Sequence, residues 1–291
     1  MAVQTGPNTF RGKLGPITGY FRNNKHMIRR SSSLCLDQML RNPGSTNTFK
    51  NALEMGTAIS GGSLIRTDLR GLLMRGKDSQ HHNRLSGLLR RALNTEPVHR
   101  KGERSLQYCD LTSLRGYNFN LKGLLNSCFK SSYNGFINRK SGVALLKMES
   151  FVPTTHLKKP DGATHFEIIS ICSEINFEAK TNVNTTNKTV IRKITNTPTG
   201  SIELVHNFKP KSTNQILLMM GIRFYQDING ELLQITGREF SPLSIVEVSS
   251  NNKLGGGNDV LEHLEILPPL TKREMKLLDK NFNRMMEGLR E

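Results

Sequence analysis

The chain has 291 residues, enough for about two domains of ordinary size, and its 22% charged content beside recurrent apolar runs excludes a disordered chain. Residues 1–150 hold 24 Lys and Arg against 8 Asp and Glu, whereas residues 151–291 hold 17 against 16, so nearly all of the formal +17 sits in the front half. The four cysteines, Cys35, Cys109, Cys128 and Cys172, lie 74, 19 and 44 residues apart, which excludes a dense disulfide framework and a zinc ribbon and predicts reduced, buried thiols.

Residues 8–31 read as a small basic β-ribbon. Gly12, Gly15, Pro16 and Gly19 punctuate short β-like runs, and Asn23-Asn24-Lys25 is a turn between GYFR and HMIRR. A ribbon of this size is marginal in water, so it must pack on something. Helical periodicity follows over residues 47–95 in three apolar stripes. Phe49, Ala52, Leu53 and Met55 form the first, with Gly61-Gly62 as a break. Leu64, Ile65, Leu69, Leu72 and Leu73 form the second, and Leu85, Leu88, Leu89, Ala92 and Leu93 the third. From about residue 105 the pattern turns to short strands: YNFNLKGLLNSCF, YNGFINR, VALLKMESF, THFEIISIC, NKTVIRKIT, SIELVHNF, QILLMMGIRFYQD, ELLQITG and SIVEVSS. Turn residues separate them at Lys140–Gly142, Pro160–Gly162, Pro198–Gly200 and Asn229-Gly230, as in an antiparallel sandwich.

Asn251–Asn258 is a glycine-rich linker. Thr271–Glu274 is a capping box that opens an amphipathic helix over residues 271–289. The expected fold is α+β: a β-ribbon and helices over 1–104, an antiparallel β-sandwich over 105–250, and a linker with a C-terminal helix over 251–291. The first fifteen residues have no apolar run and no stretch approaches the length of a membrane span, so a cytoplasmic protein is expected. The sequons at Asn184 and Asn187 then carry no glycan.

Catalytic and metal motifs fail on inspection. Gly71–Lys77 fits the first seven positions of a phosphate-binding loop, but Asp78 stands where a magnesium-binding hydroxyl belongs, and the segment continues a helix. Ser127–Lys130 fits SxxK without its partner motifs. His81 and His82 are adjacent, so on a helix they point about 100° apart and do not chelate together. No catalytic residue, cofactor, metal or small-molecule substrate is expected.

The basic front half remains. Phosphate contacts need many cations, and twelve are candidates: Arg11, Lys13, Arg22, Lys25, Arg29 and Arg30 on the ribbon, and Arg66, Arg70, Lys77, Arg84, Arg90 and Arg91 on the helices. Phe10, Tyr20, Phe21, Tyr108, Tyr117 and Phe119 lie near enough in sequence to stack on bases, or else fill the core. The C-terminal helix presents Met275, Leu278, Phe282, Met285, Met286 and Leu289 as a candidate contact with another subunit. The expected function is a non-enzymatic, self-assembling structural protein. It would bind RNA or DNA without sequence preference, as the subunit of a nucleoprotein filament or coat. The alternative is a structural or adhesive β-sandwich subunit of a phage-tail-like or surface apparatus without nucleic acid.

At Gln4-Thr5-Gly6, Gly12–Gly15 and Gly19-Tyr20, and again at Thr164–Ile168 and Gly221–Gly230, the chain resembles a group of uncharacterised Bacteroidota proteins. In that group a glycine-rich N-terminal hairpin precedes helices and a β-rich C-terminal part. The resemblance spans residue 4 to about residue 250. It implies a bacterial, non-secretory origin and no site, and the C-terminal helix is an addition to the pattern.

Overall fold

A computed structural model describes residues 2–6, 9–30, 43–67, 69–72, 78 and 80–251. Lys77, the linker after Asn251, and the C-terminal helix with its six candidate contact residues lie outside the described residues. The described chain mixes helices with antiparallel sheets, as expected for an α+β protein. It falls into two compact units, the first ending at Phe49 and the second beginning at Lys50.

The first unit is a four-stranded antiparallel sheet of β1 (Ala2–Val3), β2 (Gly12–Leu14), β3 (Ile17–Arg22) and β4 (Lys25–Arg30), in the order β1-β4-β3-β2. Two-residue turns set its register. Asn23 and Asn24 both adopt positive φ, at 51° and 58°, which matches the twist of the strands they join. Phe10 lies across Gly19, where a Cβ would meet the Phe10 carbonyl oxygen and ring. The Gln4 side chain ties the layers by donating to the carbonyls of Phe10 (3.2 Å) and Met27 (3.1 Å) and accepting from the Phe10 N–H (3.0 Å).

Helix α1 (Thr46–Thr67) runs without interruption through Gly61 and Gly62, which corrects the expected break. These glycines serve close approach. A Cβ on Gly61 would collide with Leu106 and touch the Phe177 ring, while Gly62 faces Ser86 and Leu89 of α2 (His81–Ala92). Packing overrides the weak helix propensity of glycine. The stripe of α2 behaves as its spacing predicts: Leu85, Leu89 and Ala92 are buried.

The central sheet is built on two long antiparallel strands, β7 (His165–Asn176) and β11 (Gln215–Ile228). β12 (Glu231–Ile235) and β13 (Leu243–Ser249) lie end to end along the outer edge of β11, and β8 (Thr181–Lys188) and β9 (Arg192–Lys193) do the same along β7. A register shift at Leu218/Met219 marks a bulge on the β13 side, and the sheet curls. A smaller sheet, in the order β10-β6-β5, joins β5 (Tyr133–Asn138), β6 (Val143–Met148) and β10 (Ile202–Asn207).

Both faces of the central sheet are covered, which explains why β7 and β11 read as unbroken apolar runs. Ile169, Ile171, Leu217 and Met219 meet the helices, in one core with Ile65, Leu85 and Leu89. Phe166, Ile168, Leu218, Met220 and Phe224 meet the small sheet, in a second core with Ala144, Leu146, Met148, Ile202 and Leu204. Residue 105, where the sequence changes from helical to strand periodicity, therefore lies inside the second unit.

Two strand expectations need correction. Residues 117–129 form turns and one short helix, Leu125–Cys128, and add no strand to either sheet, with isolated bridges from Asn118 to Ser244 and from Phe129 to Leu157. Within NKTVIRKIT, Asn187 and Lys188 end β8, and pairing resumes only at Arg192. No described helix is long and apolar enough to cross a membrane.

Candidate nucleic-acid interface

Residues 1–30 contain six cations and no Asp or Glu. All six, Arg11, Lys13, Arg22, Lys25, Arg29 and Arg30, are exposed in the folded ribbon. Strand alternation sorts them. In the ladder Lys13 pairs with Thr18 and Thr18 with Arg29, Tyr20 pairs with Met27, and Arg22 pairs with Lys25. These seven residues share one face. The opposite face carries Leu14, Ile17, Gly19, Phe21, His26, Ile28 and Arg30, with Phe10 covering Gly19. Each face holds an arginine beside an aromatic ring: Arg29 is 5.7 Å from the Tyr20 centroid, and Arg11 is 4.7 Å from that of Phe21.

The helix cations are a different population. Arg84 pairs with Asp78 at 2.5 Å, donates to the Asn118 carbonyl at 3.0 Å and lies over the Tyr117 ring. Burial pushes the Asp78 carboxyl up, but the Leu121 and Gln80 N–H groups and Arg84 outweigh it and hold it below the usual carboxylate range. Arg90 reaches the fully buried Glu54 at 2.6 Å, with Arg104 at 3.6 Å on the other oxygen. The Arg90 contact lacks hydrogen-bond alignment, so Glu54 Oε2 is held by charge alone, while Oε1 accepts from the Gly102 N–H at 2.9 Å. Arg66 is half-buried and bonds its own helix at the Gly62 carbonyl, and burial pushes its pKa down. Of the twelve candidates, Arg66, Arg84 and Arg90 are thus tied into the fold. Arg70 and Arg91 are exposed.

The aromatic candidates divide in the same way. Tyr117 and Phe119 are buried edge to face at 5.0 Å, and the Tyr117 hydroxyl donates to the His81 carbonyl. Burial pushes the Tyr117 pKa up to about 12. Tyr108 stands against His99. Tyr20 and Phe21 stay with the exposed cations.

Two features escaped the sequence pattern. His206, 1% exposed, bridges the sheets through Ser170 Oγ (2.8 Å) and Thr185 Oγ1 (3.1 Å), and burial pushes its pKa down. The fully buried Ser170 leaves this serine–histidine pair no access for a substrate. On the outer face of the small sheet, the ladders align Phe136, Leu145 and Val205 in one row, with Phe136 55% and Val205 46% exposed. Alternation in YNGFINR and SIELVHNF holds the signal for that row, but apolar residues on both faces hide which one is outward.

Among the described residues no cluster of His, Cys, Asp or Glu could hold a metal ion. Cys109, Cys128 and Cys172 are free and buried, and desolvation pushes the Cys109 and Cys172 thiols up to about 12. No protein-family model matches the chain, and no curated protein or solved structure is similar to it.

Proposed function

We propose that this protein acts by binding and not by catalysis, holding nucleic acid through its N-terminal ribbon as a structural subunit of a nucleoprotein assembly. One observation carries the reading: the first thirty residues, with six exposed cations and no carboxylate, supply all four strands of one sheet. A folded surface with unopposed positive charge attracts a polyanion, and phosphate binding repays it by releasing counterions. The body, read as a sandwich of two sheets with a helical cover, is the scaffold. Homo-oligomeric assembly is supported by the exposed row Phe136–Leu145–Val205. The same row favours the second reading, a structural subunit of a phage-tail-like or surface apparatus that carries no nucleic acid.

The test is fluorescence anisotropy with the full chain. If six phosphates are contacted, affinity falls about 10³-fold between 50 and 200 mM salt. Replacing Lys13, Arg22, Lys25 and Arg29 together by glutamine removes most binding and flattens the salt dependence. Replacing Arg66, Arg84 and Arg90 leaves the salt slope unchanged in whatever fraction stays folded. Unaltered affinity in the ribbon variant refutes the proposal.

A further inference from the structure

The face of the ribbon that carries Lys13, Arg22, Lys25 and Arg29 has a pattern more specific than positive charge. Its cations stand in two rows. Lys13 and Arg29 flank Thr18 at one end, and Arg22 and Lys25 pair at the hairpin end. Four residues of strand separate the rows, about 13 Å. Between them lies an apolar row, Tyr20 opposite Met27, both half-buried. The Arg29 guanidinium lies over the Tyr20 ring, 5.7 Å from its centroid, so the two planar groups pack together on this face.

We infer that this face binds single-stranded nucleic acid, with an unpaired base stacked on Tyr20 and the backbone held by the cation rows on either side. The inference rests on the reading of the ribbon as a nucleic-acid contact and narrows its ligand. Two physical arguments select single strands over duplex. The first is width. At the row Ala2, Ile28, Gly19 and Gly12 four strands span three strand spacings, about 14 Å between the outer backbones before side chains are added, and the major groove of B-form DNA is about 12 Å wide. A two-stranded ribbon enters that groove, whereas this sheet is too broad where β1 and β2 flank it, and only its hairpin tip beyond Tyr20 and Met27 is two-stranded. The second is chemistry. A surface that reads base edges places hydrogen-bonding side chains at its centre, but here the centre is Tyr20 and Met27. Apart from the Tyr20 hydroxyl this row offers nothing to a base edge, and the ring offers a stacking platform to the face of any unpaired base. Such binding is tolerant of sequence.

The experiment compares fluorescein-labelled (dT)20 with a 20-base-pair duplex, using the full chain at low salt. The expected result is tighter binding of (dT)20, with a log–log salt slope near about −3 for four contacts on a single strand. Tyr20→Leu is expected to weaken (dT)20 binding by about 5- to 100-fold and to leave duplex binding within about two-fold, while Tyr20→Phe, which keeps the ring, binds as the wild type does. Ultraviolet cross-linking of the unaltered chain to (dT)20 gives a readout independent of folding in the variants, and the adduct is expected on the peptide containing Tyr20. Equal or tighter binding of duplex overturns the inference. So do equal losses on both probes in Tyr20→Leu, a Tyr20→Phe variant as weak as the leucine one, or an adduct elsewhere. In those cases the ribbon remains a general phosphate contact. Failure of the full chain to bind either probe overturns the parent reading as well.

Discussion

Replacing Arg90 by alanine removes the nearer of two guanidiniums from a carboxylate with no solvent exposure. Glu54 is 0% exposed, and Arg90 stands 2.6 Å from its Oε2, the oxygen without a hydrogen-bond donor. Breaking a buried pair from one side costs about 3–5 kcal/mol, because the remaining charge is left in a low dielectric. Here Arg104 stays 3.6 Å from Oε1 and the Gly102 N–H donates at 2.9 Å, so part of the compensation survives. The expected loss is therefore about 2–3 kcal/mol. In a unit of this size that lowers the melting temperature by roughly 5–10 °C. Arg91→Ala is the internal control: its side chain is exposed, and the expected change lies within about 0.5 kcal/mol. Urea denaturation followed by circular dichroism, with thermal melts, gives both numbers. A loss below about 1 kcal/mol for Arg90→Ala, or one equal to that of Arg91→Ala, refutes the assignment of Arg90 to the core of the fold. A large loss of nucleic-acid affinity in the folded Arg90→Ala protein would return this residue to the binding surface.

Two further outcomes are expected. His206 is buried with a pKa pushed below its ordinary 6.5 by desolvation, so the unfolded chain binds the proton more readily than the native one. Its stabilising contribution is fully present above about pH 6.5, and is lost as pH falls from there through the lower native value. Unfolding free energies at pH 7.5, 6.5 and 5.5 should decline less steeply in His206→Asn than in the wild type, and equal slopes would count against the argument. Gln215 donates through Nε2 to the carbonyls of Leu106 (3.2 Å), Gln107 (2.9 Å) and Cys109 (3.0 Å), fixing the 105–110 loop on the central sheet. Gln215→Met should lose about 1–3 kcal/mol and Gln215→Glu distinctly more, since a carboxylate then faces three carbonyl oxygens. Equal urea midpoints for the two variants would contradict this.

Elements that carry their own signal were legible in the sequence. The ribbon with its Asn23-Asn24 turn, the hairpin at Asn229-Gly230, the buried stripe of α2 and the long apolar runs of β7 and β11 all stand where the pattern put them. The failures share one cause, which is that a partner remote in sequence decided the outcome. Gly61 and Gly62 read as a break because glycine is a poor helix former, but Leu106, Phe177 and Leu89 need the space that their missing side chains leave. The strand β8, TNVNTTNK, carries little strand signal before Asn187 because it is polar apart from Val183. It is an edge strand held by its ladder to β7, with no apolar face of its own to bury. The reverse error fell on residues 117–129. Their aromatic and aliphatic residues imitate a strand, yet Tyr117, Phe119 and Phe129 are buried from turns and not from a ladder.

The candidate site was legible only in part for the same cause. The sequence locates positive charge but not what the charge answers to. Arg84 and Arg90 look equivalent to Arg22 and Arg29 in any count of cations. The first two face Asp78 and Glu54, carboxylates 6 and 36 residues away along the chain, whereas the ribbon has no acid within its own thirty residues. A cation with an internal carboxylate has its field neutralised at short range and contributes little at the distance from which a polyanion approaches. A cation in a segment without acids keeps that field. The local ratio of basic to acidic residues within one folded unit is thus a better guide to a polyanion surface than the charge of half a chain. Strand register then supplies what composition lacks, since it places Lys13, Arg22, Lys25 and Arg29 on one face around Tyr20 and turns Arg30 to the other.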